Sequence, residues 1–559
     1  MVKRTCLLLE VGSIQSYIFG SNQLAQNIGA SELVALSTTK WVVDVLDDMG
    51  LTHNGRWDEG NTEIGPVVEY VNIADPAVEI VYAGGGNAMI LFSKRNTAVS
   101  FVKKLSRFIL EEAPNLNFLA IHDEFEDDTQ ALAEVHRQLR RQMNYRQMNR
   151  PFSTPLLGLS VTAECVYTGL PAIGLDSDEA AVGQEAALKV AEFDNYQPRL
   201  ISAEVAAKLR YENVAKERLH KVLPNVKGHK LRFGFVYDFD ELGEYGESSY
   251  LAVIHADGNR MGERFKALGE KCKLPEDNEK YVTGLQALSK ELRLNATKAL
   301  QETVDYLMAS LGSDNRFGDK VRIPRTRKGL PLLPFRPIVF GGDDVTFVCD
   351  GRLGLDLAAR YLDALSQKPL GGEQLFARAG VAIVKTHYPF SRAYELSEEL
   401  AKQAKNEIEK TFKIVGNDSA NVLDWHFATT GMMHDITEVR QREYTAYDGN
   451  SLLMRPVCLN EYNEQWRTWP TFRSLMTKFQ RDEWENRRNK LLALREALRQ
   501  GEAAVDQFLN NYGIENLPEI AGYSTMAQHG WQNGKCAYYD AIEAIDFFVD
   551  LASTKESAE

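Results

Sequence analysis

The sequence predicts an α+β chain in which one structural unit is built twice. Three observations carry this reading. Two apolar runs are broken by glycines, Ile80–Phe92 around Gly84-Gly85-Gly86 and Pro337–Val348 around Gly341-Gly342. Each reads as strand, tight turn, strand, because paired glycines admit the positive φ that a hairpin tip needs. Each is preceded by a lone apolar strand and followed by a helix and another strand, so the order β, α, β-turn-β, α, β occurs twice. The spacing agrees as well: 76 residues separate Glu10 from Gly86, and 86 separate Asp257 from Asp343.

The first copy opens on Cys6–Val11, and Gly12 leads from it into a largely helical pattern, Ile14–Leu46. After the glycine hairpin come a helix, Ala98–Glu112, and a strand, Asn117–Ile121. Between the copies, Glu124–Leu231 holds helical segments. One of them is rich in arginine (Arg137, Arg140, Arg141, Arg146, Arg150) and is ended by Pro151 and Pro155. The second copy opens on Ser249–Ala256, closed by Asp257-Gly258-Asn259-Arg260-Met261-Gly262. A long helix over about Asn278–Leu311 precedes its hairpin. A helix Leu353–Leu365, a strand Leu375–Val384 and a helix Ser391–Lys405 follow. Beyond about residue 455 the chain reads as helical, with strong helix formers in Trp484–Arg499 and apolar i, i+3, i+4 spacing in Tyr538–Leu551.

With 559 residues, 44% of them hydrophobic and 25% charged, the composition is globular and predicts about three to four domains. Lys+Arg number 64 against 78 Asp+Glu, a formal charge of −14. That balance excludes a chain coated in nucleic acid, because phosphate neutralisation requires clustered Lys/Arg, although a local basic groove is allowed. Six scattered cysteines with no CxxC pair argue against a disulfide framework. Glu10 interrupts the only signal-like run, no stretch approaches a membrane span, and a cytoplasmic location is expected.

The chemistry concentrates in the second copy. Aligning Ala83–Asn87 with Phe340–Asp344 sets Gly86 opposite Asp343 and Asn87 opposite Asp344, so only the second hairpin carries acids. Asp257, Asp343 and Asp344 can converge from neighbouring strand ends on a hard cation, Mg²⁺ or Mn²⁺. Mg²⁺ is held by one or two carboxylates together with substrate phosphates. Two such ions would activate a 3′-hydroxyl and stabilise leaving pyrophosphate. The competing reading is a solvated acidic hairpin tip. Gly258 and Asn259 open a following helix whose first N–H groups suit phosphate. Lys402 and Lys405 lie three apart on the last helix of the copy.

These residues carry a resemblance. The hairpin Gly341-Gly342-Asp343-Asp344 resembles the GGDD palm of the large subunit of type III CRISPR effector complexes, a palm similar to those of GGDEF-type nucleotide cyclases and polymerases. Further matches run in the family's order along nearly the whole chain: Glu10–Phe19, Gly84–Asn87, Ala256–Gly262, Pro389-Phe390, Leu423-Asp-Trp-His426, Arg455-Pro456 and Asp540–Phe548. The resemblance implies two ferredoxin-like palm domains, a small interposed domain and a helical C-terminal domain. Their bounds would be 1–124 (degenerate palm), 125–247 (insert), 248–430 (active palm) and 431–559. It implies ATP as substrate, condensed through 3′–5′ linkages into cyclic oligoadenylate messengers of antiviral defence. Asp257, Asp343 and Asp344 would be catalytic metal ligands, Gly341 and Gly342 would pack on nucleotide, and Lys405 would hold triphosphate. Partners would be other effector subunits, with guide and target RNA bound through them.

The departures set limits on that transfer. His122-Asp123 and His434-Asp435 lack the helical context of an HD nuclease, so DNA cleavage is not expected. Cys165–Ala172 resembles half of the family's zinc knuckle without its second cysteine, so zinc is not expected and Cys165 reads as a buried thiol. The strand motif Asp-Gly-Asn has one acid where related cyclases often have two. A second basic run, Lys320, Arg322, Arg325, Arg327 and Lys328, leads into the active hairpin. Two other functions stay open: a non-catalytic scaffold of an RNA-guided complex, and a stand-alone cyclic dinucleotide synthase.

Overall fold

A computed structural model describes residues 3–58, 67–71, 76–149, 161–191, 197–242, 249–318, 320–326, 328–412, 420–428, 435–460, 466–481, 484–485 and 487–552. Arg150, Pro151, Pro155, Arg327 and His434 lie outside the described residues. The fold is α+β with two ferredoxin-like sheets. The chain divides into two compact units, one of residues 1–229, 260–297 and 338–343, the other of 230–259, 298–337 and 344–559.

In the first unit, β1 (Lys3–Gly12) is followed by three helices, α1 (Ile14–Phe19), α2 (Leu24–Ser37) and α3 (Lys40–Asp48). The continuous pattern expected there is broken between α1 and α2, where the Ser21 hydroxyl accepts the Gln23 N–H and competes with the helical ladder. Then come the hairpin β2 (Val78–Gly84) and β3 (Asn87–Phe92), α4 (Arg95–Glu112) and β4 (Asn117–Glu126). The strand order is β2-β3-β1-β4, with every pairing antiparallel. Cys6, Leu8, Met89, Leu91, Ile121 and Phe125 form one apolar face of this sheet, covered by Leu132, Leu139 and Met143 of α5 (Leu132–Met148) and by Tyr281, Val282 and Leu285. α6 (Ala203–Val222) packs on α2, and its Lys208 donates to the Tyr17 carbonyl at 2.8 Å.

The second sheet repeats the plan. Its strands are β5 (Tyr250–Gly258), the hairpin β6 (Phe335–Val339) and β7 (Asp344–Asp350), and β8 (Ala377–Lys385). Between β5 and β6 lie α7 (Met261–Lys271) and α8 (Asn278–Ala309); α9 (Gly354–Ser366) connects β7 to β8. Two strands are added beyond the first plan: β9 (Val422–Ala428), parallel to β8, and β10 (Val457–Cys458). The full order is β6-β7-β5-β8-β9-β10. A parallel neighbour requires a crossover, supplied by α10 (Phe390–Glu407), which packs on β8, β5 and β9. Gly380 lets it lie close: a Cβ there would sit 2.0 Å from the Ser397 carbonyl oxygen.

The C-terminal part holds α11 (Ile436–Glu443), α12 (Trp469–Phe479), α13 (Arg488–Gln500), α14 (Glu502–Tyr512) and α15 (Tyr539–Glu543). Two expectations need correction. Helix α13 starts after Trp484, whose ring packs edge-on against Phe479 at 5.3 Å and over Phe508 at 6.4 Å. Tyr538–Leu551 is helical only as far as Glu543. Its later N–H groups leave the ladder, Val549 for the Arg352 carbonyl at 3.1 Å and Leu551 for the Asp356 carboxylate at 3.1 Å. No described helix is long and apolar enough to cross a membrane.

Candidate active site

β5 is buried from Leu251 to Ala256, apolar there except for His255, and then presents Asp257 near its end. In the register, Asp257 faces Asp344 of β7 on one side and Arg378 of β8 on the other. In the first sheet the same two neighbours belong to Glu10: Asn87 and Leu119. Like charges directly opposite on antiparallel strands are destabilising, so a facing pair of aspartates needs a cation nearby. The protein supplies Arg378 and, when protonated, His255. Arg378 closes a short ion pair on Asp257 and donates to Asn259 Oδ1 at 2.9 Å. His255, two residues back on the same face of β5, brings Nδ1 to 3.2 Å from Asp344 Oδ1, and neither of those buried atoms completes a hydrogen bond.

The electrostatics follow from this packing. Burial lifts the Asp257 carboxyl above its ordinary range; Arg378 opposes the rise, Asp344 adds to it, and His255 and Lys405 oppose it. Burial disfavours the His255 imidazolium, but Asp344, with Asp257 and Glu398 behind it, raises its pKa overall. Lys405 is exposed near the end of α10 and forms no ion pair among the described residues, whereas Lys402 bonds Glu398 at 3.2 Å. A π turn, Ile408–Phe412, follows directly.

The loop residues differ from expectation in one respect. The Asn259 N–H is taken, donating to the Phe376 carbonyl at 2.8 Å, and its side-chain amide donates to Ala420 O at 3.0 Å. Gly258 is paired in the sheet opposite Ala377. The Asn259 backbone is therefore closed to the phosphate that the glycine pattern suggested. Gly341 takes φ 96° and has open space where a Cβ would stand. Gly341, Gly342 and Asp343 are half-buried and grouped with the first unit, whereas Asp257, Asp344 and Lys405 belong to the second. Among the described residues no three His, Cys, Asp or Glu side chains gather as a metal-binding group. The fit to Mg²⁺ rests on the donor set: two facing carboxylates, one with an unbonded oxygen, suit an ion that takes its other ligands from phosphate and water.

Sequence reasoning missed Arg378 and His255. A signal existed for each: one cation inside an otherwise apolar strand, and a histidine at i−2 from the key aspartate. Other motif residues prove structural. Arg440 forks onto Asp424 at 2.8 and 2.7 Å, and Arg455 is fully buried, 3.1 Å from Glu543 and 3.4 Å from Asp540. Asp540 also accepts the N–H groups of Met454 and Arg455. Asp435 caps α11, and Cys165 sits in an apolar cluster with Val182, Ile201 and Val205.

Residues 250–412, from the first residue of β5 to the end of the π turn, match the family model of the Cas10/Cmr2 second palm domain. No curated protein matches the chain. Among solved structures the chain is similar to Csm1 of T. onnurineus, at 14% identity and TM-score 0.51, covering 97% of this chain and 69% of that one. It is also similar to a Csm1–Csm4 cassette in complex with pppApApA (14%, TM-score 0.51, 98% and 70%) and to one in complex with cA4 (14%, TM-score 0.50, 100% and 70%). At this identity the likeness speaks for the fold. Within the matched segment, a cavity of about 300 Å³ is lined by Arg316, Arg322 and Arg325 with Asp314, and Arg316 and Arg322 stand directly opposite in register. In the arginine-rich helix α5, by contrast, Arg137 is engaged by Glu134 and Arg140 reaches Tyr82, while Arg141 and Arg146 are exposed.

Proposed function

We propose that this chain is a Mg²⁺-dependent nucleotidyltransferase that converts ATP into cyclic oligoadenylates in CRISPR-type antiviral defence. The observation that carries the reading is the facing pair Asp257 and Asp344 at the end of the sheet whose segment matches the Cas10/Cmr2 second palm domain. Solved structures of the same fold bound to cA4 and pppApApA support the product class. Asp257, Asp343 and Asp344 would hold the metal, which when bound supplies Lewis-acid activation of a 3′-hydroxyl and charge neutralisation at the leaving pyrophosphate. The chain's own residues do the remainder. Arg378 and Asn259 fix the strand end, Gly341 leaves room for a nucleotide against the backbone, and Lys405 offers an exposed cation to a triphosphate. The expected partners are a Csm4-like subunit and, through it, guide and target RNA. The bounds 1–124, 125–247, 248–430 and 431–559 are our reading of the domains.

Incubation with ATP and Mg²⁺, with partner subunits and target RNA added, followed by mass spectrometry of the products, tests this. Cyclic oligoadenylates that vanish in the Asp343→Ala/Asp344→Ala double variant are the expected result; absence of any product in every mixture overturns it. The neutralised state of Asp257 favours a second reading, a non-catalytic scaffold. ATP binding without turnover decides for the scaffold, and a cyclic dinucleotide as sole product decides for a stand-alone synthase.

A further inference from the structure

Arg378 has a natural control in the first sheet. The residue in its register position there is Leu119, and the carboxylate of Glu10 is engaged by Gln147 Nε2 at 2.6 Å instead. The cation thus occurs only in the sheet whose hairpin carries the acids. A guanidinium has donors and no acceptor, and its planar fork fits a carboxylate and a phosphate equally well. A divalent cation on Asp257 would meet the guanidinium's positive charge at the same carboxylate, whose Oδ2 Arg378 now bonds, so the two compete. Arg378 does not depend on Asp257 for its place. It is rooted in β8, only 12% exposed, and its second nitrogen is held by Asn259 Oδ1, which the Ala420 carbonyl keeps in position. Released from Asp257, it would still stand at the strand end, where a triphosphate has to lie.

We propose that Arg378 is a positioning residue that occupies Asp257 in the nucleotide-free protein and exchanges it for a divalent cation when a metal–nucleoside triphosphate enters, its guanidinium then binding a phosphate oxygen. This rests on the metal-site reading given above. The free protein is accordingly a poor binder of metal alone, and metal and nucleotide arrive together.

The test is Mn²⁺ binding to the full chain without nucleotide, read by electron paramagnetic resonance, beside ATP binding in EDTA. Removing a competing charge-assisted pair should tighten Mn²⁺ binding by roughly tenfold in Arg378→Gln and loosen metal-free ATP by a similar factor. Arg378→Lys keeps the charge without the fork and should fall between wild type and Arg378→Gln, which answers the question if the glutamine variant does not fold. Mn²⁺ affinity unchanged or weaker in both variants, with melting temperatures unaltered, overturns the exchange while leaving the acids as metal ligands. Mn²⁺ binding that is the same in wild type and in Asp257→Asn/Asp344→Asn overturns the metal site itself, and the exchange with it.

Discussion

The two sheets share a strand order and a hairpin, yet their tips are built for opposite ends. In the first, a Cβ on Gly84, the counterpart of Gly341, would stand 2.3 Å from Arg293 Nη2, and the Val11 N–H closes the tip onto Gly86 O at 2.8 Å. In the second, the space beside Gly341 is open. Glu10 is satisfied by a neutral amide from α5, whereas Asp257 and Asp344 are held by Arg378 and His255. Beside the facing aspartates the second sheet places Arg378; in the same register position the first sheet has Leu119. The difference teaches that a duplicated scaffold keeps its backbone plan while the few side chains at one strand end decide whether that end is core or site.

The contrast can be broken or sharpened by substitution. The largest effect is expected at the tips. Asp344→Ala should lower cyclic oligoadenylate formation by at least ~10²-fold in a mass-spectrometric rate assay, given what positioned charge contributes in a dry site. Glu10→Gln should leave that rate within about twofold, and a comparable loss there would end the distinction between the sheets. Next comes the crossover helix. Gly380 occupies the register position held by Ile121 in the first sheet, since His255 faces the one and Leu8 the other. Gly380→Ala should cost about 3 kcal/mol by overpacking α10, read as a fall in denaturation midpoint. Ile121→Ala should lose a similar amount by the opposite route, an emptied core.

A smaller effect separates the equivalent helices α4 and α9. The first turn of α4 has no acid, while α9 carries Asp356, whose carboxyl is pushed up to about 6 by burial and by Asp550 nearby. The folded state holds that proton more tightly than the unfolded chain does. The stabilisation is therefore complete below about pH 4 and lost as pH rises through about 6. Asp356→Asn should gain about 2 kcal/mol relative to wild type between pH 4.5 and 7 in urea titrations, its advantage growing with pH. The smallest change expected is at Lys405. Lys405→Ala should weaken ATP binding by about tenfold, measured calorimetrically, with little effect on melting temperature.

Much of this was legible in the sequence because it is local. Glycine pairs between apolar runs announce hairpins, and the alignment of Glu10 with Asp257 and Asn87 with Asp344 is reproduced in the register. What escaped was non-local. Arg378 lies 121 residues from the carboxylate it holds, and only strand pairing brings them together. β9 was visible as a motif and not as a strand, because a strand buried on both faces shows no alternation. The end of α15 was misjudged for a similar reason: its apolar spacing is helical, but the N–H groups of Val549 and Leu551 find better acceptors on distant residues.

The Arg455–Asp540 pair also has a meaning in time. Asp424 emerges from the ribosome only 16 residues before Arg440, so its charge is soon met. Arg455 must wait for Asp540, 85 residues later, which is roughly 4–17 s at the usual pace of synthesis. Until then the segment leading into β10 carries a guanidinium without its acid partner among Trp425, Phe427 and Tyr444. The segment around Asp540 therefore acts as a latch: the second sheet is complete only once that segment has been made.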